Sequence, residues 1–222
     1  MSARGPAVVI PIKATLGAKQ RLSARLAPEG RHLLALAMAG DVLRVATSVV
    51  GQRRVLVVAG DVAVARLALR CGVESIRDRG AGQSEAVRAG VKWAAERGHT
   101  SIATIAADCP LASPDDVETL VAEASRRGRL LSVASDAEGT GTNAAALRPV
   151  AVDPWCFGPD SLRRHRDAAV ALGLRFAVLA LPSLRIDCDR PDDLVGVLSQ
   201  PRPTATFHVL RELGLAPRAA AL

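Results

Sequence analysis

The chain has 222 residues, 49% of them hydrophobic, which is enough for one substantial core, and a single domain is the expectation at this length. No stretch reaches the roughly 18 uninterrupted apolar residues of a membrane span and no apolar run follows a basic start, so a cytoplasmic protein without membrane partners is expected. The formal charge of +7 points to an anionic partner, while 2% aromatics and no Tyr argue against stacking on single-stranded nucleic acid.

Ala7-Val8-Val9-Ile10-Pro11-Ile12 reads as a buried strand that runs into Lys13-Ala14-Thr15-Leu16-Gly17-Ala18-Lys19-Gln20-Arg21. A strand ending in a loop with three cations and several backbone N–H groups is a place to hold a polyphosphate; the alternative is a solvated basic turn. Pro28 suits a helix start, and apolar residues recur at helical spacing to about Val50. Arg54 to Ala59 is a second strand of the doubly covered, parallel kind. Asp61 caps a helix to about Arg70, Val73 to Ile76 forms a third strand, Ser84 to Arg97 a helix, and Ile102 to Ala107 a fourth strand. This alternation predicts a doubly wound, mostly parallel sheet.

Ser113-Pro114-Asp115-Asp116 is a helix start, with Ser as N-cap and acids in the positive first turn. Leu130 to Ala134 and Ala144 to Leu147 read as strands, Pro159 to Leu172 as a helix, Arg175 to Leu181 and Leu184 to Ile186 as extended segments, and Pro191 to Leu198 as a short helix. Residues 1–200 form the expected domain and 201–222 a tail that docks or mediates contacts. Cys71, Cys109, Cys156 and Cys188 lack the spacing of a zinc site or a disulfide framework and read mostly as buried thiols.

Five later segments add chemistry. Asp108 follows the fourth strand, at the sheet edge where open α/β folds bind ligands. Asp187 and Asp189, alternating along an extended segment, point to one side and with Asp108 offer the hard oxygen donors that Mg²⁺ prefers; the alternatives are turn caps. Glu138-Gly139-Thr140-Gly141-Thr142-Asn143 supplies glycine N–H groups, two hydroxyls and an amide that can meet phosphate or carboxylate oxygens, unless it is a plain hairpin. Gly158-Pro159-Asp160-Ser161 opens a helix whose free N–H groups make an anion site or an ordinary cap, and His165 one turn on reads as structural rather than catalytic. Gly80 to Ala86 is a further glycine loop that could hold a base or ribose through Gly82 and Ser84.

Taken in order, Pro11-Ile12-Lys13, Ala18-Lys19-Gln20-Arg21-Leu22, Asp108-Cys109-Pro110-Leu111, Gly139-Thr140-Gly141-Thr142-Asn143, Phe157-Gly158-Pro159-Asp160-Ser161 with His165, and Asp187 to Leu194 resemble the phospholactate/phosphoenolpyruvate guanylyltransferases of coenzyme F-420 biosynthesis, over about residues 7–198. The resemblance implies a three-layer α/β/α nucleotidyltransferase fold related to the GT-A glycosyltransferases. It implies transfer of GMP from GTP to a three-carbon phospho-acid (2-phospho-L-lactate, phosphoenolpyruvate or 3-phospho-D-glycerate), release of pyrophosphate, and a product that passes to the next enzyme of the pathway. Carried over, Lys13, Lys19 and Arg21 would hold the triphosphate, Asp108 with Asp187 or Asp189 would hold Mg²⁺, and Thr142, Asn143, Gly158 and Ser161 would hold the phospho-acid. Gly82-Gln83-Ser84 stands where the family usually has Gly-Leu-Asn, and Cys109 where Leu is frequent. A homodimer is left open, as is another nucleotidyltransferase or a GT-A-type glycosyltransferase with a different nucleotide or acceptor.

Overall fold

The computed structural model describes residues 5–200 and 203–215. Strand β1 (Ala7–Ile12) is followed by helix α1 (Pro28–Val50), β2 (Val55–Ala59), α2 (Val62–Arg70), β3 (Glu74–Arg77), α3 (Gln83–Glu96) and β4 (Ile102–Ile105). The second half comprises α4 (Pro114–Ser125), β5 (Leu130–Ala134), β6 (Ala144–Arg148), α5 (Ser161–Ala171), β7 (Arg175–Val178), α6 (Leu194–Leu198) and α7 (Ala205–Glu212). The seven strands form one sheet in the order β3-β2-β1-β4-β6-β5-β7. Only β6 runs against the rest, pairing antiparallel with both β4 and β5.

The apolar runs explain the layers. All six residues of β1 and all five of β2 are buried, because helices cover both faces of the sheet. Val8, Ile10 and Val57 pack towards α1, α2 and α4, while Val9, Leu56 and Val58 pack towards α3 and join Trp93, Leu131 and Trp155. Each such Leu, Ile or Val stabilises the fold by about 1.5–3 kcal/mol relative to exposure. Gly90 lets α3 lie directly on β1, since a Cβ there would strike the Val9 side chain.

Helix α1 is long and apolar enough to cross a membrane, with a mean hydropathy of 1.7 over 18 residues. In the fold, however, its apolar side is taken up by β1, β2, α2, α4 and α7. Its buried charged residues have partners within the fold. Arg31 donates to the carbonyls of Ala18 and Leu26, and Asp41 accepts from the N–H groups of Ala205 and Thr206 and from the Thr206 hydroxyl.

Two expectations are corrected. Leu184 to Ile186 is no strand: Pro182–Leu184 forms a 3-10 turn, because the Ser183 N–H and hydroxyl are captured by the Asp116 carboxylate 67 residues earlier. The fourth strand ends at Ile105, leaving Ala106 and Ala107 in the loop beyond it. Within the expected tail, α7 packs on α1 and joins Leu22, Leu34, Cys188 and Val197 in a third apolar cluster; residues 201–202 and 216–222 lie outside the described part.

Candidate active site

A cavity of about 480 Å³ opens at the carboxyl ends of β1, β4 and β3, lined by residues 11–19, Asp78, Gln83, Ala106 to Asp108, Thr142, Asn143, Asp187 and Asp189. The topology puts it there. Because β6 runs antiparallel, its first residues rather than its last reach this edge, so Thr142 and Asn143 arrive beside the end of β4, where the Ala106 N–H donates to the Asn143 carbonyl at 2.7 Å.

The basic loop after β1 is held from three sides. The Thr15 N–H and hydroxyl both donate to Asp61 Oδ2, at 2.7 and 2.8 Å, while Asp61 Oδ1 caps α2 by accepting from the Val64 N–H. Burial opposes ionisation of Asp61, but the N–H bonds from Val64 and Thr15 outweigh it and hold the carboxyl below its ordinary range. Gly60 forms the second side: a Cβ there would land on the backbone of Lys13 and Ala14, so only glycine allows the loop to lie this close. Arg31 forms the third through its bond to the Ala18 carbonyl. Next to it Lys19 adopts a left-handed conformation (φ 53°), which turns the chain into a short 3-10 segment.

The three acids converge at the floor. One carboxylate oxygen from each of Asp108, Asp187 and Asp189 lies within 4.8 Å of the others. Their approach does not come from strand alternation, since residues 186–189 are irregular. The Cys188 N–H donates to the Asp108 carbonyl at 2.9 Å, and the Asp189 N–H reaches back to the Asp187 carbonyl, so a tight turn is clamped against the loop after β4. Asp193 braces it by accepting from the N–H groups of Asp189 and Arg190.

Lys19 Nζ lies 2.9 Å from Asp108 and 2.7 Å from Asp189, with its side chain only 7% exposed. Burial works against the ammonium, yet the charges of Asp108 and Asp189 keep its pKa well above the ordinary value. Lys19 in turn overcomes the burial of Asp189 and holds that carboxyl low. Among the described residues Asp187 has no such cation: burial first, and then the neighbouring Asp108 charge, raise its pKa although Asn143 donates to it. A surplus of negative charge on oxygen-only donors fits a hard divalent cation.

Other candidate residues are spread more widely. Lys13 lines the cavity, and Arg21, largely exposed, approaches Asp189 to 3.6 Å. The glycine loop has less free N–H capacity than its composition promises, because Asp136 accepts from the N–H groups of Thr140 and Gly141. The Asn143 amide is turned to the acid loop, donating to the carbonyls of Leu184 and Arg185 and to Asp187 Oδ1. Gly82, Ser84, Gly158 and Ser161 do not line the cavity; Ser161 is buried, and the Ser84 hydroxyl accepts from the Phe157 N–H, tying the start of α3 to the loop that holds Gly158. Gln83 and Asp78 face the cavity instead. Asp78 follows β3 as Asp108 follows β4, so the rule that singles out one singles out the other. Cys109 and Cys188 are buried free thiols beside the acids, the latter pushed by burial up to about 12.

The sequence matches the family described as "Guanylyl transferase CofC like" over residues 6–220. The chain belongs to this CofC-like guanylyl transferase family. Among CofC-like relatives, the phosphoenolpyruvate guanylyltransferase of Rubrobacter xylanophilus is 38% identical over 200 residues, covering 87% of this chain and 97% of the relative. The 3-phospho-D-glycerate guanylyltransferase of Phenylobacterium zucineum is 35% identical over 209 residues, covering 92% and 95%. In fold, this CofC-like chain resembles a nucleotidyl transferase from Methanothermobacter thermautotroptrophicus (TM-score 0.64, 15% identity, 94% and 99% covered). It also resembles a cytidylyltransferase from Leptospira borgpetersenii (TM-score 0.58, 13% identity, 97% and 98% covered). The expected nucleotidyltransferase fold and enzyme class are those of the family.

Proposed function

We propose that the protein joins the GMP part of GTP to a three-carbon phospho-acid and releases pyrophosphate, as a cytoplasmic step of coenzyme F-420 biosynthesis whose product passes to the next enzyme. The names of its relatives put phosphoenolpyruvate first among the acids and 3-phospho-D-glycerate second. The observation that carries the reading is the convergence of Asp108, Asp187 and Asp189 under Lys19 at one end of a cavity walled by the basic loop.

The chemistry suits this inventory. A phosphate oxygen of the acid is already an anion at neutral pH, so attack on the α-phosphorus of GTP needs alignment and charge neutralisation rather than a general base. Lys13, Lys19 and Arg21 supply cations for the triphosphate and the departing pyrophosphate, on a loop whose shape Asp61, Gly60 and Arg31 fix. Asp108, Asp187 and Asp189 would hold Mg²⁺, which neutralises phosphate charge and orients the reacting oxygens when bound. Thr142 serves the acceptor side directly and Asn143 through the acid loop, while Gly158 and Ser161 act from behind the wall, on the loop and helix that carry His165. Gly82 and Ser84 serve the base side by setting the start of α3, which presents Gln83.

The test is pyrophosphate release with Mg²⁺, offering GTP, CTP, ATP and UTP in turn against phosphoenolpyruvate, 2-phospho-L-lactate and 3-phospho-D-glycerate. GTP with one acid is the expected pair, and a preference for another nucleotide, or silence with all three acids in folded protein, defeats the proposal.

A further inference from the structure

His165 is completely buried on α5, yet one ring nitrogen reaches a residue of the cavity wall. Its Nε2 lies 3.1 Å from the Cys156 backbone N–H, and a backbone N–H can only donate, so Nε2 is the acceptor. A neutral imidazole then carries its proton on Nδ1, 3.1 Å from Thr142 Oγ1. The ring is neutral because burial, reinforced by the Arg164 charge and only partly opposed by the Ser161 carbonyl, lowers its pKa to about 4. It is also held in orientation, edge-on to Phe157 at 4.8 Å and to Trp155 at 6.2 Å. Turning the ring over would break both polar contacts.

The consequence falls on Thr142. A hydroxyl has one proton and accepts through its lone pairs; once an acceptor position is filled by His165, the proton is left for another partner. Among the described residues Thr142 Oγ1 has no second partner, and Thr142 lines the cavity. Phosphate and carboxylate oxygens of an acceptor substrate can only accept. We infer that His165 is a positioning residue that fixes the Thr142 hydroxyl as a hydrogen-bond donor to the anionic acceptor, and so sets affinity for the acid rather than for the nucleotide. This rests on the assignment of the acid to the Thr142 side of the cavity.

A double-mutant cycle tests it. His165→Phe keeps a ring and removes both nitrogens, Thr142→Val removes the hydroxyl, and KM is measured for GTP and for the phospho-acid, with thermal melts as a folding control. His165→Phe is expected to raise the acid KM ~10-fold with the GTP KM unchanged, and to add nothing in the Thr142→Val background. His165→Asn, which keeps an N–H donor near the Nδ1 position, is expected to recover most of the loss. Additive effects, or an equal rise in both KM values, overturn the inference. Should His165→Phe fail to fold, the same cycle is run with His165→Gln, which places its polar group towards Cys156 and is expected to leave the acid KM high. An NMR spectrum of ¹⁵N-histidine-labelled protein reads the tautomer without substrate: protonation of Nε2, or of both nitrogens, at neutral pH also overturns it. Absence of turnover in the wild type with a bare Nε2 would instead count against the proposed reaction alone.

Discussion

The β1–β4 half of the sheet and the β5–β7 half meet at one cavity but build their walls by different means. On the β1–β4 side the wall is made of loops leaving parallel strands, and its shape is fixed by close backbone approach at Gly60 and by carboxylate–amide bonds at Asp61. On the other side the wall depends on hydrogen bonds made by particular side chains: Asn143 to residues 184–187, His165 to Thr142 and Cys156, Asp116 to Ser183. The first half therefore tolerates changes that keep backbone shape, whereas the second depends on the identity of particular polar groups.

The largest effect is expected at the floor, where both halves meet. Asp108→Asn should reduce turnover by ~10³-fold or more with little change in melting temperature, measured by pyrophosphate release and circular dichroism. Near-normal turnover would remove Asp108 from the chemistry. On the parallel side, Gly60→Ala should push the Lys13–Ala14 backbone away and lower kcat/KM for GTP by about 10²-fold. A variant with an unchanged kcat/KM for GTP would show that the close approach at Gly60 is incidental.

On the side-chain half, pH offers a gentler probe. His165 has its pKa depressed in the fold to about 4, so the folded protein binds fewer protons there than the unfolded chain. Its contribution to stability is full above about pH 6.5 and is lost as pH falls towards 4, by up to about 3 kcal/mol. Melting curves over that window should fall more steeply for the wild type than for His165→Asn; parallel curves would deny that the buried neutral ring is the cause. Smallest of all, Ser161→Ala should raise the phospho-acid KM a few-fold without altering that for GTP, and an acid KM that does not move would take Ser161 out of the acceptor site.

The same contrast explains what could be read from the sequence. Strand runs such as Ala7–Ile12 announce themselves by continuous apolar character, and acids or cations in the loops that follow them, Lys13 and Asp108, fall at the cavity by the geometry of the sheet alone. Asp187 and Asp189 were legible as a pair, but the reason they converge with Asp108 was not, since it lies in the Cys188 bond to the Asp108 carbonyl. Ser183 turned an expected extended segment into a 3-10 turn because of a partner on α4 that no local pattern records. The Thr142–His165 and Asn143–Asp187 bonds span 23 and 44 residues, and nothing in either residue's surroundings in the sequence names its partner. Asp78 is different, for its place after a strand was visible from the start.

Because β6 runs antiparallel to β5, Ala134 and Ala144 are paired, the chain leaves β5 and re-enters β6 at the same edge, and residues between them can be lengthened or shortened without moving any strand in the sheet. Loop closure becomes costlier only logarithmically with length, by about 0.6 kcal/mol per doubling. On the proposed reading of the site, changes at this hairpin tip alter the wall beside Thr142 while the loops after β1 and β4 keep their backbone shape.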